Sequence, residues 1–290
     1  MNTGVVSTPQ PLNKAAILPS PPASSLSSAS AVFDGIAERY DEVFTHTTIG
    51  KLQRQLVWDV LASTFLRGQH ILELNCGTGE DALFLGARGI SVTACDLSSR
   101  MIEVARRRKL NNEVGGNVEF QVLANENLAE LAGGHLFDGA LSNFSGLNCV
   151  EDTRKVAATL GALLRPTARL LVCLSTRVCA WEVLWYVARG DLRKACRRIP
   201  GHTIATVEGF PVHVWYPTLR QTRKQFAPWF HLRSARAVGL FVPPSYAERW
   251  VQRHKHGVAA CGKLDRLLGR LPMLRTLGDH MLLEFEKAQS

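Results

Sequence analysis

The sequence predicts an α/β fold in which helices cover both faces of a mostly parallel sheet, and three observations carry that prediction. Residues 71–74 have the apolar density of a strand that is buried on both faces. Gly77 and Gly79 follow at once, and glycine permits the sharp turn from such a strand into a helix. A second apolar run, 90–94, is followed by an acid, Asp96, about twenty residues beyond the turn.

This succession of strand, glycine turn and acid predicts a site for a nucleoside cofactor. The two glycines let the backbone approach a ligand, and the free N–H groups of the next helix, predicted over 80–87, face it. Asp96 ends the second strand at the carboxyl edge of the sheet, where its carboxylate can hold both hydroxyls of a ribose.

The glycine spacing, together with Ala82, also fits a relaxed dinucleotide fingerprint, so an NAD or FAD enzyme is an alternative. Charge argues against it, because Glu73, Glu80 and Asp81 surround the turn and would repel a pyrophosphate. S-adenosylmethionine has no phosphate and carries a sulfonium and an ammonium, which acids attract. The charges therefore favour a methyl donor.

With these residues in view, the chain resembles the class I S-adenosylmethionine-dependent methyltransferases, in particular the ubiquinone/menaquinone-biosynthesis type and its small-molecule relatives. The resemblance covers residues 32–176 clearly and returns weakly at 213–241 and 279–287. It implies a Rossmann-like fold with a seven-stranded, mostly parallel sheet. It also implies S-adenosyl-L-methionine as the cofactor and methyl transfer to a small molecule as the activity.

In that family an acid-x-Gly-x-Gly-x-Gly loop binds the methionyl part of the cofactor, and here it reads 73–79. Asn75 replaces the first glycine, and we expect the turn to survive because asparagine tolerates a left-handed backbone better than most residues. The segment 97–102 matches the part of the family that lies beside the adenine. The contacts implied in these segments are Glu73, Asn75, Gly77, Gly79, Asp96, Leu97 and Met101.

Residues 33–41 resemble the family's Phe-Asp-x-x-Ala-x-x-Tyr-Asp helix, which closes over the cofactor, and make Tyr40 and Asp41 candidate contacts. After the third strand, 118–123, relatives place an Asp against the adenine amine, and this chain has Ala124 there. The replacement acceptor is one of the next three residues, Asn125, Glu126 or Asn127.

The fourth strand and its exit, 137–144, resemble the segment whose tip faces the methyl group and the acceptor. The resemblance implies that Asn143 contacts the cofactor, and it makes Phe144 and Asn148 candidate acceptor contacts. A fifth strand is expected over 168–175.

The first 30 residues differ from the rest, with five prolines, seven serines and a single charged residue, Lys14. Such a composition cannot fill a core, so we expect a disordered tail before a domain at 31–290. Neither a secretory signal nor a membrane span is expected, because the longest later apolar run, 178–188, is short and contains Glu182. These features predict a cytoplasmic protein, with peripheral membrane contact as an option.

Two segments exceed what a minimal domain of this family needs, at about 177–211 and 242–278. We expect 212–216 and a helix at 218–230 to return to the core, and 232–238 and 280–286 to form the last two strands. The two insertions would form a helical cap over the acceptor. Trp181 and Trp185 lie one helical turn apart, where they could line an acceptor pocket or pack the insertion onto the domain.

Charge is divided unevenly along the chain. Residues 1–165 contain 14 basic and 17 acidic residues, a net charge of −3, whereas residues 166–290 contain 20 and 8, a net charge of +12. The second part would face an anionic substrate or a membrane surface, or simply be a solvated basic exterior. Its densest basic cluster, which follows the aromatic run 180–187, resembles an interfacial or acyl-substrate lid and comprises Arg189, Arg193, Lys194, Arg197 and Arg198.

Transfer of a sulfonium methyl group is an in-line displacement that mainly requires alignment and exclusion of water. If a general base is needed, the weak candidates are His213, Tyr216 and His231, with Glu208 beside them. The seven cysteines have no metal-ligand spacing, so we expect buried thiols and no metal site.

Two other interpretations stay open. The replaced residues Asn75 and Ala124 would suit a degenerate cofactor-binding module that has lost activity. An RNA or protein methyltransferase is the other, although no basic–aromatic nucleic-acid module is visible and no nucleic-acid partner is expected. A Pro-Pro-Ser-Tyr segment at 243–246 lies in the wrong place for the amino-group methyltransferases that it resembles.

Overall fold

The computed structural model describes residues 32–112, 117–207 and 210–289, so the predicted tail at 1–30 lies outside the described residues. Seven strands form one sheet and two more form a separate hairpin. The sheet contains β1 (His70–Leu74), β2 (Ser91–Asp96), β3 (Val118–Val122), β4 (Phe137–Ser142), β5 (Leu164–Ser175), β8 (Phe230–Val238) and β9 (His280–Lys287), and the hairpin contains β6 (His202–Val207) and β7 (Phe210–Trp215).

The order of strands in the sheet is β3-β2-β1-β4-β5-β9-β8. Strands β1 to β5 are parallel, and β9 lies antiparallel between β5 and β8. This is the Rossmann-like, mostly parallel sheet that the sequence predicts. The carboxyl ends of β1, β2 and β4 meet at one edge, and β9 begins at that same edge because its direction is reversed.

Helices cover both faces of the sheet, as expected for parallel strands joined by crossovers. They are α1 (Thr48–Thr64), α2 (Glu80–Gly86), α3 (Ser99–Leu110), α4 (Arg154–Leu163), α5 (Ala180–Val187), α6 (Leu192–Ala195), α7 (Leu219–Phe226), α8 (Glu248–Val251) and α9 (Lys255–Leu268). Shorter helical turns occupy Asp41–Thr45, Asn125–Leu131, Gly146–Cys149 and Ser245–Ala247.

The central strand β1 is apolar on both faces because each face meets a different layer of helices. Ile71 belongs to a cluster with residues of α1, α2 and α3, whereas Leu72 and Leu74 belong to a cluster that includes α4 and α7. On the second face, Phe226 stacks on Phe285 with ring centroids 5.0 Å apart, and both side chains are fully buried. Burial on two faces explains the unbroken apolar run of the sequence.

The first insertion is not wholly helical as predicted, because His202–Val207 and Phe210–Trp215 pair as β6 and β7. Exposure alternates along β6, where His202 and Ile204 are exposed and Thr203 and Ala205 are less so, as expected for a hairpin with one covered face. The predicted return strand at 212–216 therefore pairs with β6 and not with the central sheet.

Two arginines of the predicted basic cluster anchor the cap. Both Arg197 and Arg198 bind Glu182 of α5, with N–O distances of 2.6 and 2.7 Å, and Glu182 is only 1% exposed. Arg198 also binds Asp279, just before β9, at 2.9 Å. Arg198 is therefore buried and not part of a lid surface, since a buried carboxylate needs a cation beside it, whereas Arg197 remains exposed while it pairs with Glu182.

The tryptophans of α5 join the two insertions. The indole N–H of Trp181 donates to the carbonyl of Phe241 at 2.8 Å, and its ring lies 6.3 Å from that of Trp250. Trp185 packs on Tyr246 at 5.9 Å. In the structure both tryptophans therefore pack the first insertion against the second.

We predict that Arg198→Met destabilises the protein by about 3–5 kcal/mol, because it leaves the buried carboxylates of Glu182 and Asp279 short of a partner. The free energy of unfolding, from urea titration, provides the measurement. Arg193→Met, on the exposed side of α6, is the matched control and should change that energy by less than about 0.5 kcal/mol. Equal effects of the two substitutions would show that Arg198 does not anchor the cap.

Candidate functional site

A cavity of about 310 Å³ lies at the carboxyl edge of the sheet, where the loops after β1, β2 and β4 meet. The hairpin covers it from the cap side through Val212 and Val214. Its walls also include Phe33, Tyr40, Arg54, Asn75, Cys76, Gly77, Thr78, Glu80, Asp81, Asp96, Leu97, Met101, Asn125, Glu126, Asn143, Phe144, Ser145, Gly146, Cys149 and Val150.

Asp96 holds the glycine turn in place. Its carboxylate accepts hydrogen bonds from the backbone N–H groups of Gly77 and Ser98, both at 2.9 Å. Burial raises the pKa of Asp96, and these two bonds oppose the rise. Its oxygens have further lone pairs for a ligand in the cavity, which suits the predicted role of Asp96 toward a ribose.

Asn75 takes the backbone conformation that the missing glycine would have taken, with φ = 55°. Its side-chain oxygen accepts a hydrogen bond from Ser142 at 3.1 Å. A β-carbon at Gly146 would stand 2.3 Å from the β-carbon of Asn75, so this side chain fits only because residue 146 is glycine. The turn keeps its left-handed conformation despite the replacement, because Gly146 on the facing loop leaves room for the Asn75 side chain.

Gly79 has a different role from the predicted one. It does not line the cavity, and a β-carbon there would lie 2.8 Å from the ring of Phe120 and 2.9 Å from the β-carbon of Ala105. Its φ is also positive, at 80°. Close packing of α2 against β3 and α3 therefore requires this glycine, and no ligand contact is needed to explain it.

A buried carboxylate, Asp81, ties three elements together at the cavity wall. It pairs with Arg54 at 2.7 Å and accepts hydrogen bonds from the indole of Trp58 at 2.6 Å and the amide of Asn143 at 2.8 Å. Arg54 and Trp58 come from α1, Asp81 from α2, and Asn143 from the end of β4. Asn143 in turn accepts a hydrogen bond from the N–H of Phe144 at 2.9 Å.

Glu73 lies beneath the loop and does not itself line the cavity. It is 1% exposed, and its Oε2 atom has no hydrogen-bond partner. Burial raises the pKa of Glu73 well above its usual value, and the charges of Asp81 and Asp96 add to the rise. A cation bound at the loop would lower this pKa and relieve the carboxylate. The acid therefore fits an ammonium-bearing cofactor such as S-adenosylmethionine.

Tyr40 lines the cavity, and burial raises its pKa to about 12, so its hydroxyl stays protonated and can donate. Asp41 instead faces away into a polar network, where it pairs with Arg108 and accepts a hydrogen bond from Thr78 at 2.8 Å. Arg108 also pairs with Glu80 at 3.1 Å. The helix that carries Tyr40 is thus fastened to the loop by charge.

The opposite end of the cavity suits an adenine. Leu97 and Met101 line it, together with Asn125 and Glu126. Asn127, the third residue proposed to replace the missing acid, donates its amide to Glu130 on the exposed side. Of the three residues predicted as the replacement acceptor, Asn125 and Glu126 line the cavity and Asn127 does not.

Near the hairpin the walls become mainly apolar. Phe144 and Ser145, in the loop after β4, have φ values of 42° and 71°, a conformation that residues other than glycine rarely adopt. The ring of Phe144 lies beneath the guanidinium of Arg54, 4.8 Å from its central carbon. Such strain is common where a backbone is held for function.

Asn148 was expected at the acceptor site, but in the structure its side chain binds the backbone of the hairpin and of β5. Its amide donates to the carbonyls of Trp215 at 2.6 Å and Ser175 at 3.3 Å, and its oxygen accepts from the N–H of Ser175 at 2.9 Å. It is 1% exposed and does not line the cavity. Asn148 fastens the hairpin to the end of β5.

None of the weak base candidates lines the cavity. His213 is exposed on the outer face of the hairpin, where it contacts His202 at 3.0 Å. Tyr216 is buried below Arg198. His231 lies on β8 opposite Glu286 of β9, at the end of the strand that is far from the cavity. Glu208 lies outside the described residues. Trp181 and Trp185 do not line the cavity either.

Among the described residues, no three His, Cys, Asp or Glu side chains are grouped to hold a metal ion. In the same part of the chain, no helix combines the length and apolar character that crossing a bilayer requires.

Several residues of the cavity wall were not predicted from the sequence, and Arg54 is the one that matters most for the site. A signal for it exists, because Arg54 falls on the buried side of α1, near Leu56 and Val57, and a charge on an apolar face needs a partner. The walls from the hairpin left no comparable signal. The missed residues are Phe33, Arg54, Cys76, Thr78, Ser145, Gly146, Cys149, Val150, Val212 and Val214.

Comparison with known proteins identifies the central segment. Residues 71–167 match the family model described as a methyltransferase domain. The chain is 33% identical over 145 residues to a demethylmenaquinone methyltransferase of Clavibacter sepedonicus, covering 50% of this chain and 56% of that protein. It is also 33% identical over 141 residues to a tRNA 5-carboxymethoxyuridine methyltransferase of Escherichia coli K12, covering 46% and 52%. The chain thus spans about half the length of these relatives.

Solved structures show the same fold over more of the chain. A putative S-adenosylmethionine-dependent methyltransferase from Listeria monocytogenes aligns with a TM-score of 0.58 at 17% identity, covering 82% of this chain and 100% of that one. The DhpI–SAM–HEP complex aligns at 0.55 and 15%, covering 93% and 100%. Residues 71–167 therefore match a methyltransferase domain, and the chain shares the fold of these S-adenosylmethionine-dependent methyltransferase structures, as the resemblance implies.

We predict that Gly146→Ala destabilises the protein by about 1–3 kcal/mol, because its methyl group would overlap the side chain of Asn75. The same change in an Asn75→Gly background should cost at least about 1 kcal/mol less, since the obstacle is gone. Urea unfolding of the four proteins of this cycle gives the coupling. Gly35→Ala, where nothing lies within 4 Å, is the control. Additive effects at 75 and 146 would contradict the pairing.

Proposed function

We propose that this protein is a methyltransferase that moves the methyl group of S-adenosylmethionine to a small, apolar or anionic acceptor. The observation that carries the proposal is the unpartnered, buried oxygen of Glu73 beneath a turn held by Asp96. The charge of Glu73 would attract the ammonium of the methionyl part from beneath the loop, and Asp96 would meet the ribose. Tyr40 and Asn143 would close the site between them.

The charges around the turn support this cofactor over a dinucleotide. Glu80 and Asp81 both line the cavity at the first turn of α2, where a pyrophosphate would have to bind. The one arginine on the wall, Arg54, is already paired with Asp81. A phosphate would therefore meet more negative than positive charge at this position.

The acceptor end supports a small molecule. Val212 and Val214 of the hairpin and Val150 close the cavity near Phe144, so the acceptor would sit against apolar side chains. A quinol, phenol or similar ring has the shape and polarity that such a wall accepts. The likeness to a demethylmenaquinone methyltransferase agrees with an aromatic acceptor.

S-adenosylmethionine supplies an electrophilic methyl group on a sulfonium that leaves as a neutral thioether. The chain would align the methyl group with the acceptor atom and exclude water from the site. The hairpin, which lines the cavity through Val212 and Val214, would exclude water from it, and Asn148 holds the hairpin on the sheet. The polar hub around Asp81 fixes Phe144 on the wall.

We predict that calorimetry shows binding of S-adenosylmethionine and S-adenosylhomocysteine and none of NAD. Asp96→Ala should weaken both by about 1–3 kcal/mol through lost hydrogen bonds, whereas Asp152→Ala, an exposed acid paired with Arg154, should leave them unchanged. Isotope-labelled donor in a cell extract, followed by mass spectrometry, should then reveal a labelled small molecule. Tight NAD binding would sink the proposal, and cofactor binding without labelled product would favour an inactive binding module.

We also propose that the cap touches an anionic membrane surface, from which an apolar acceptor would enter. Seven of the eighteen large apolar side chains that are exposed in the described residues fall within 178–210. They include Leu184 at 66% and Leu192 at 64% exposure, and the exposed Arg189 and Arg193 lie beside them. Exposed aliphatic residues among cations suit a lipid surface better than RNA.

Leu184→Ser combined with Leu192→Ser should weaken sedimentation with phosphatidylglycerol vesicles at least tenfold, because burial of each leucine is worth about 1.5–3 kcal/mol. Higher salt should weaken wild-type binding as well. Leu66→Ser with Leu110→Ser is the control, since these leucines are 62% and 85% exposed and lie outside the cap. Binding to transfer RNA but not to vesicles would contradict the membrane surface.

A further inference from the structure

Four buried polar atoms without a well-formed hydrogen bond lie on three residues of one region. Two of these residues contact the ring of Phe144, and the third lies beside Asp279. The four atoms are both amide atoms of Gln53, Nε of Arg54 and Nδ1 of His280. Each unpaired buried group costs about 1–3 kcal/mol, so a group of them requires an explanation. Elsewhere among the described residues only Thr45 and Glu73 have such an atom, and Glu73 belongs to the cofactor loop.

Phe144 connects this group to the cavity. Its ring lies on the cavity wall and meets the ring of His280 edge to face, with centroids 5.5 Å apart. His280 begins β9 opposite Ser175, the last residue of β5, so it stands at the same edge of the sheet as the cavity. Phe144 is thus a single aromatic layer between the cavity and the imidazole.

Gln53 reaches the same place from α1. A β-carbon on Gly239 would lie 2.5 Å from the Gln53 amide nitrogen and 3.2 Å from the β-carbon of Asp279, which puts these two side chains side by side. Asp279 precedes His280 and has a carboxylate oxygen 3.6 Å from Nδ1. Arg198 holds that carboxylate at 2.9 Å.

The protonation of the imidazole follows from these neighbours. Burial lowers the pKa of His280 and the charge of Arg198 lowers it further, while Asp279 opposes them. The ring is therefore neutral near pH 7 and able to accept a proton. Asp279 is placed to keep a proton on Nδ1, so that Nε2 is the free acceptor.

We propose that His280 and Gln53 form the polar end of the acceptor site, with His280 as general base for an acceptor that bears an acidic hydroxyl, such as a phenol, quinol or enol. The proposal rests on the proposed methyltransferase function. The acceptor oxygen forms a bond to the methyl carbon, the carbon–sulfur bond breaks with its electron pair left on sulfur, and the hydroxyl proton passes to His280. Gln53 hydrogen-bonds the same oxygen.

Access requires the Phe144 side chain to turn, and its backbone is suited to that. Phe144 and Ser145 both have positive φ, which costs of order 1–3 kcal/mol each and makes an alternative placement of the ring comparatively inexpensive. An acceptor ring would take the place of the Phe144 ring against Arg54 and His280.

The test uses 4-nitrophenol, which absorbs visible light only as the phenolate, added to the protein saturated with S-adenosylhomocysteine. At a pH below its solution pKa, wild-type protein should bind it and raise the phenolate absorbance. His280→Gln should abolish that signal or weaken binding at least tenfold, with the S-adenosylhomocysteine dissociation constant within threefold. His231→Gln, on exposed β8, should behave as wild type. Equal phenolate signals in all three proteins would overturn the proposal.

Gln53→Met keeps the test decisive if His280→Gln fails to fold. The Gln53 amide reaches the carboxylate of Asp279, which Arg198 already holds. An apolar replacement of similar size should therefore change the melting temperature only slightly and still weaken nitrophenol binding about fivefold or more. A lower melting temperature with unchanged nitrophenol binding would mean that Gln53 is only structural. Failure of wild-type protein to bind S-adenosylhomocysteine would refute the proposed function itself, whereas its binding without any nitrophenol binding would refute the acceptor site alone.

Discussion

The buried carboxylate of Asp81 is the interaction on which the site depends. It joins the first helix through Arg54 and Trp58, the glycine turn through its own position in α2, and the tip of β4 through Asn143. These elements come from distant parts of the chain, and apolar packing alone does not fix their orientation. A charged hub with three directed partners sets where the cavity wall stands.

A second buried ionic group does for the cap what Asp81 does for the cofactor loop. Glu182 and Asp279 share Arg198, so α5 is tied to the first residues of β9. Asp279 is also the neighbour of His280, whose ring meets Phe144. The cap and the carboxyl edge of the sheet are therefore joined by contiguous contacts, so that a shift of the cap would also move residues at the cavity wall.

The sequence was informative where chemistry is local. The apolar run of β1, the turn at Gly77 and the acid at Asp96 follow from residue type and spacing alone, and the family resemblance added Tyr40 and Asn143, which also line the cavity. It was less informative where a polar residue has two possible partners. Asn148, Arg197 and Arg198 read as surface or site residues, yet each binds a group more than ten positions away along the chain.

Gly79 illustrates the opposite error, since its motif position suggested a ligand and the structure gives a packing reason. The hairpin could not be foreseen because β6 has no apolar alternation strong enough to separate it from a loop. Val212 and Val214 became cavity walls only through the pairing of β7 with β6.

The contact between Asn75 and Gly146 has a historical consequence. An asparagine at position 75 is compatible only with a chain that already has glycine at 146, because any larger residue there would occupy the same space. The two positions therefore form an epistatic pair in which the order of change is fixed. A sequence search that requires glycine at position 75 would discard this chain. A search that also accepts asparagine there, provided that position 146 is glycine, would retain it.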